Sequence, residues 1–166
     1  MRSVKILVVD DFERFRRFVC SALQQKAQLQ VSQASDGLEA IEKAGDFHPD
    51  LVVLDIGLPK LNGIESARSL LERTPTAKIM FLSQESSPDV VQAALSVGAL
   101  AYVHKPRAPS DLLPAVEAVL AGKTFVSSDL EFGERMEVQA HNGRQRGDRS
   151  GYRRRLDFRG PRRRRH

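Results

Sequence analysis

The sequence predicts an α/β fold: a doubly wound, open sheet of five parallel strands with helices on both faces. Three observations lead there. Five short apolar runs each precede a longer amphipathic stretch within about the first 120 residues. The third run, Leu51-Val52-Val53-Leu54, is apolar at consecutive positions, as a strand buried on both sheet faces requires. Each run also meets a polar or charged residue at its carboxyl end, the edge where open α/β sheets bind ligands.

The elements follow in order. Val4 to Val9 is a β-branched run that meets Asp10-Asp11. A helix is expected from Phe12 to about Lys26, with Phe15, Val19, Ala22 and Leu23 on one face. Leu29 to Ala34 is the second strand. Ser35-Asp36-Gly37 opens the next helix, where Leu38, Ile41 and Ala44 recur at helical spacing and Gly45 is expected to end it. After the third strand stops at Asp55, Asn62 caps a helix holding Ile64, Ala67, Leu70 and Leu71. Lys78 to Leu82 is the fourth strand and ends at Ser83. Ser87-Pro88 reads as an N-cap followed by proline at the first helical position, and that helix stops at Gly98. Ala101 to His104 is the fifth strand and runs into Lys105-Pro106. Ser110 is expected to cap the last helix, which runs to about Ala121, with Pro114 in its first turn. Right-handed crossovers leave few topologies, and a flavodoxin-like (βα)5 order of 2-1-3-4-5 makes the first and third strands neighbours.

The chain has 166 residues and 18.5 kDa, room for one domain and an appendage. Its apolar runs fall far short of the roughly 18 residues of a spanning helix, so no membrane segment is expected. The opening MRSVKILVVDD lacks the form of a signal peptide. The single cysteine, Cys20, excludes an internal disulfide and a cysteine zinc site, and points to a reducing, cytoplasmic setting. Cys20 lies among Phe18, Val19 and Ala22 and reads as a packing residue.

Charge divides the chain. Residues 1–130 carry a net −2 and residues 131–166 a net +7, which together make the chain's +5. All 12 cations of the second part are arginine. The domain is assigned to residues 1–124, and 125–166 to a linker remnant and an Arg-rich tail. The tail lacks the apolar residues to offset ordering entropy and reads as disordered. It is a solvated appendage or the product of a changed reading frame; the competing reading is an arm that grips phosphate backbones without reading sequence.

The chemistry sits at the strand ends. Taken singly, Asp10, Asp11 or Asp55 is ordinarily a turn or cap residue, Ser83 a turn residue and Lys105 a solvated cation. Jointly, all five lie at the ligand edge of one sheet. Three carboxylates there repel one another and call for a hard cation, and oxygen-only ligands suit Mg²⁺. Lys105 adds positive charge and Ser83 a hydroxyl, making a cradle for a phosphoryl group. Asp55 stands alone and is the acid to be modified, with Asp10 and Asp11 holding the metal. His48 and His104 have no second ligand at metal spacing and read as surface or packing residues.

The segments ILVVDD, LVVLDIGLP, FLSQE and YVHKP resemble the signatures of the response-regulator receiver domain of two-component systems, over about residues 3–122. The resemblance implies Mg²⁺ binding by the residues at Asp10, Asp11 and Asp55 and by the backbone carbonyl of Gly57. It implies phosphoryl transfer from a sensor histidine kinase to Asp55, with Ser83 and Lys105 contacting the phosphoryl group. It implies a cis peptide before Pro106. It further implies a switch in which Ser83 moves and Tyr102 turns inward, reshaping the face of the fourth helix, fifth strand and fifth helix. From the residues alone, Tyr102 is an aromatic covering the sheet edge. Gly57 and Glu85 occupy places that influence the lifetime of the aspartyl phosphate in that family.

The DIGLP, SDLLPAVEAVLAG and TFVSSDL stretches are similar to the NarL/FixJ type, in which a linker leads to a helix-turn-helix output domain. After Leu130 this chain departs from that pattern: no helices suited to a helix-turn-helix are expected there, so the output domain is absent by design, or the chain is truncated or its frame shifted. The resemblance implies a phosphoacceptor signalling protein rather than an enzyme, a possible homodimer on phosphorylation, and DNA as a partner only through an output domain. The alternatives are a stand-alone receiver acting through protein contacts, a nucleic-acid binder acting through its tail, and a phosphatase with an aspartyl nucleophile. The phosphatase needs two acids two residues apart, and Phe12 stands where the second would be. A flavin site is weaker still, because Asp10-Asp11 occupy the loop that would face a phosphate.

Overall fold

Apolar runs of four to six residues build the sheet, and amphipathic stretches of nine to thirteen cover it. The computed structural model describes residues 2–130. The elements are β1 (Val4–Val9), α1 (Glu13–Gln24), β2 (Leu29–Ala34), α2 (Gly37–Phe47), β3 (Leu51–Leu54), α3 (Gly63–Arg73), β4 (Lys78–Ser83), α4 (Pro88–Ser96), β5 (Ala101–His104), α5 (Ala108–Leu120) and β6 (Phe125–Val126). All strand pairs are parallel, and the order is β2-β1-β3-β4-β5-β6. The expected order of five strands therefore holds, with a sixth short strand added beyond β5.

Side-chain alternation along each strand divides the core in two. Leu7, Val9, Val52, Leu54, Ile79, Phe81 and Tyr102 face α2, α3 and α4, where Ala40, Ala44, Ala67, Leu70, Val91 and Ala94 meet them. Ile6, Val8, Leu51, Val53, Met80, Leu82 and Val103 face α1 and α5, which supply Val19, Cys20, Leu23, Leu112, Val116 and Val119. Small alanines on the first face let α2, α3 and α4 approach closely, while leucines and valines fill the second. Truncating a fully buried leucine such as Leu23 or Leu70 costs about 2–5 kcal/mol.

Several boundaries follow from capping. Asp36 accepts from the Glu39 amide at 2.9 Å, and Asn62 accepts from the Glu65 amide at 3.0 Å. Ser87 precedes Pro88 as expected but makes no side-chain cap bond. Helix α5 ends at Leu120; two residues on, Gly122 has a φ of 77° that favours glycine, and the Lys123 amide reaches back to the Ala118 carbonyl at 2.8 Å.

Four local expectations are corrected. Gly45 does not end α2, because the helix continues to Phe47 and closes on His48 in the left-handed region, whose amide bonds to the Ala44 carbonyl. Pro49 follows and forbids further helix. The peptide before Pro106 is trans; no cis bond occurs among the described residues. Pro106 lies instead in a 3₁₀ turn, Lys105–Arg107, that leads directly into α5. That turn starts α5 at Ala108, so Ser110 is inside the helix and Pro114 lies beyond its first turn. Finally, Phe125 and Val126 pair with Ala101 and Tyr102, and the buried Ser127 and Leu130 follow them onto the domain. The Arg-rich tail, 131–166, lies outside the described residues.

Candidate functional site

Parallel register brings the strand ends to one rim. Val9 is level with Leu54, and Leu54 with Phe81, so the residues that follow β1 and β3 emerge side by side. The Asp10 amide bonds to the Ala34 carbonyl at 3.2 Å and the Asp55 amide to the Val9 carbonyl at 3.0 Å. Their main chains are thus the last rungs of the ladder, and the carboxylates are held by sheet geometry.

Carboxylate oxygens of Asp10, Asp11 and Asp55 all lie within 4.8 Å of one another. Asp10 and Asp55 are buried and Asp11 is exposed. Lys105 Nζ is 2.8 Å from Asp10 Oδ2 and 3.1 Å from Asp55 Oδ2. Lys105 is itself buried, and its ammonium rests 4.7 Å from the Phe15 ring centroid. Burial lifts the Asp10 carboxyl above the ordinary carboxylate range, against the Lys105 and Phe12 hydrogen bonds and with help from the Asp55 charge. Burial alone would lower Lys105, but Asp10 and Asp55 outweigh it and hold the ammonium above its usual value.

Three ionised carboxylates and one ammonium leave a formal charge of −2. A divalent cation cancels that charge, and the all-oxygen donor set fits a hard ion such as Mg²⁺. Beyond these three aspartates, no cluster of His, Cys, Asp and Glu side chains among the described residues has metal-binding geometry.

Ser83 is the final residue of β4, buried, with its Oγ accepting the Glu85 amide at 3.2 Å. Tyr102, on the neighbouring strand, is fully buried, and its hydroxyl donates to the Glu85 carbonyl at 2.7 Å. Burial pushes the Tyr102 phenol up to about 12, with the nearby Ser83 hydroxyl pulling the other way and the Glu85 and Asp55 charges adding to the rise. Tyr102 therefore occupies the inward position. Gly57 lies two residues past Asp55 in an exposed turn, with open space where a Cβ would stand. The structure thus gathers Asp10, Asp11, Asp55 and Lys105 into one cluster, with Gly57 two residues past Asp55 and with Ser83 and Tyr102 both bonded to Glu85.

Three contributors escape a reading of the sequence. Phe15 is legible as a core-facing helix position, yet it serves as the platform under Lys105. Arg16 donates to the Asp10 carbonyl at 2.7 Å and to Gln33 Oε1 at 3.1 Å, bracing the β1–α1 turn against β2. Gly63 begins α3 so close to β3 that a Cβ there would stand 2.0 Å from the Asp55 carbonyl oxygen. Only the position of Arg16, one helical turn beyond the acidic pair, hints at its use. Cys20 is buried, in keeping with a packing role.

Comparison with known proteins agrees with this geometry. The family profile described as "Response regulator receiver domain" matches residues 6–117. Among curated proteins, the chain is 32% identical over 125 residues to the transcriptional regulatory protein DegU of Brevibacillus brevis, covering 75% of this chain and 53% of DegU. It is 33% identical over 144 residues to the transcriptional activator protein ExaE of Pseudomonas putida, covering 86% of this chain and 66% of ExaE. The match therefore spans between half and two thirds of the length of these relatives. A LuxR-family two-component response regulator from Aurantimonas sp. SI85-9A1 superposes with a TM-score of 0.73 at 30% identity, over 77% of this chain and 92% of that structure.

Proposed function

This chain belongs to the response-regulator receiver family, and from that premise we propose that it is a Mg²⁺-dependent phosphoacceptor whose Asp55 takes a phosphoryl group from a sensor histidine kinase. The observation that carries the reading is the buried Asp55 carboxylate beside the Lys105 ammonium, with Asp10 and Asp11 close enough to share one divalent ion with it.

Asp10, Asp11 and Asp55 would hold the ion, and the backbone carbonyl of Gly57 would join them. Bound there, Mg²⁺ supplies charge neutralisation for the phosphoryl oxygens. An Asp55 carboxylate oxygen attacks phosphorus in line. The new P–O bond forms as the P–N bond to the kinase imidazole breaks, and the electron pair returns to that nitrogen, which takes up a proton. Lys105, already 3.1 Å from Asp55, turns its ammonium to a phosphoryl oxygen. Ser83 Oγ gives up its role as acceptor for the Glu85 amide and donates to another phosphoryl oxygen. Tyr102 stays buried against the Glu85 carbonyl, and the face of α4, β5 and α5 takes up the change.

The chain acts as a signalling protein rather than as an enzyme on an external substrate, working in the cytoplasm. Control of transcription is the output suggested by its relatives, a transcriptional regulatory protein and a transcriptional activator, through an output domain or through a protein partner, with dimerisation on phosphorylation. No helix among the described residues is long and apolar enough to cross a membrane. Acetyl phosphate with Mg²⁺ is expected to add about 80 Da, one phosphoryl group, to the intact protein and nothing to Asp55→Ala. Equal labelling of both proteins would overturn the assignment.

A further inference from the structure

We propose that His104 is a positioning residue that ties the segment after β6 to the β4–α4 loop, so that the phosphorylation state of the rim is passed to the chain leaving the domain. The proposal rests on the phosphoacceptor reading above and adds to it the path by which the signal exits.

His104 closes β5, and its ring is bonded at both ends. Nδ1 lies 2.7 Å from Asp129 Oδ2, 25 residues on, and Nε2 lies 3.2 Å from the Gln84 carbonyl oxygen, 20 residues back. A carboxylate and a carbonyl only accept, so whichever ring nitrogen carries hydrogen has an acceptor waiting for it. The ring itself is 17% exposed, and its two partners lie at the solvent edge of the domain. A leucine or valine would end an apolar strand as well as histidine does; the ring's two polar partners are what the fold alone does not require.

The surrounding groups make a small closed network. The His104 amide donates to Ser127 Oγ at 3.1 Å, and that hydroxyl donates to Asp111 Oδ2 at 2.8 Å. Arg107 Nε donates to Asp111 at 3.2 Å and lies 3.9 Å from Asp129. Burial alone would raise Asp111, but bonds from Ser127, Arg107 and Ser110 outweigh it and hold the carboxyl below its usual range. The neighbouring Lys105 is committed to Asp10 and Asp55. The segment is fixed further by the Ser127 amide on the Tyr102 carbonyl at 3.0 Å, and by Leu130, buried in the same core cluster as Tyr102 and Phe81.

The coupling follows from sequence adjacency. Gln84 sits between Ser83, whose hydroxyl would exchange the Glu85 amide for a phosphoryl oxygen, and Glu85, which both Ser83 and Tyr102 hold. A shift of Ser83 carries the Gln84 carbonyl with it. The His104 ring then loses or re-aims one bond, and Asp129 feels the change through the other.

Hydrogen exchange of the full 166-residue chain tests this, with Mg²⁺ and with or without beryllium fluoride as the phosphoryl mimic, while fluorine NMR reports the bound fluoroberyllate. In the wild type, the amides of Ser127 and Leu130 are expected to change their exchange rate roughly fivefold or more on fluoroberyllate binding. In His104→Leu that response disappears while the response at residues 84–87 persists, a separation that a merely structural role would not produce. Asp129→Asn, altered outside the core, is expected to behave alike and serves should His104→Leu fail to fold. Bound fluoroberyllate with unchanged exchange at 127–130, or an undiminished response in both variants, overturns the coupling alone. No bound fluoroberyllate overturns the phosphoacceptor reading, and the coupling with it.

Discussion

The ammonium of Lys105 lies 3.1 Å from the Asp55 carboxylate, and both side chains are less than a tenth exposed. With Asp10 2.8 Å from the same nitrogen, one cation serves two buried anions. The energetic behaviour of the rim follows from that imbalance.

Removing the cation leaves two buried carboxylates facing each other. Lys105→Met is expected to lose roughly 3 kcal/mol of stability in EDTA, as for a broken buried ion pair. Magnesium should restore part of that loss, since it supplies the missing charge. Urea unfolding with and without Mg²⁺ measures both effects; equal losses in the two conditions would show that the carboxylates do not share an ion.

Removing an anion works the other way. Asp10 has its carboxyl pKa raised by burial, so its charged form costs stability at neutral pH and an uncharged isostere relieves the cost. Asp10→Asn is therefore expected to be more stable than the wild type in EDTA at pH 7. The same variant should lose the rise in melting temperature that Mg²⁺ gives the wild type. Calorimetry in the two buffers tests the crossover.

Steric fit at Gly63 is tighter than electrostatics. A methyl group there meets the Asp55 carbonyl at 2.0 Å and the Ile56 Cα at 2.6 Å, both backbone atoms that cannot swing away. Gly63→Ala is expected to cost about 3 kcal/mol or more and to reduce acetyl phosphate labelling of the folded fraction. Gly57→Ala meets nothing within 4 Å and should leave stability within about 0.5 kcal/mol.

The acid limb of stability has a source away from the rim. Glu39 is lowered to about 2 by the Ser35 amide first, then by Lys43 and the Ser35 hydroxyl. A depressed carboxylate contributes stability above its unfolded pKa and loses it as pH falls towards the folded value, here between about 4.5 and about 2. Because the side chain is 34% exposed, solvent screening reduces the contribution to about 1 kcal/mol. Glu39→Gln should lower stability by about 1 kcal/mol above pH 6 and flatten the stability-against-pH curve in that window.

The elements legible in the sequence are those whose period is long enough to show. Five apolar runs and their helices produced the order β2-β1-β3-β4-β5, and the position of Asp10, Asp55, Ser83 and Lys105 at the ends of those runs produced the rim. Strand β6 is two half-buried residues and has no period to read. Gly45 resembled a stop, yet open space surrounds it and the helix passes through. Ser110 resembled a cap because nothing in the letters announces the 3₁₀ turn that starts α5 two residues earlier. Phe15 and Arg16 could be placed on a helix but not over the rim, since the lean of α1 is set by tertiary packing. The His104–Asp129 pair spans 25 residues and has no local signature.

Gly63 has a mechanical consequence. The Asp55 main chain is wedged between the start of α3 on one side and the Val9 carbonyl on the other, so it has nowhere to recoil. Across the rim, residues 84–88 are exposed, and side chains of Ser83, Tyr102 and His104 hold Gln84 and Glu85. The rim is thus built like an anvil with one free jaw: a group added at Asp55 is expected to displace the exposed β4 side before the tightly packed α3 flank.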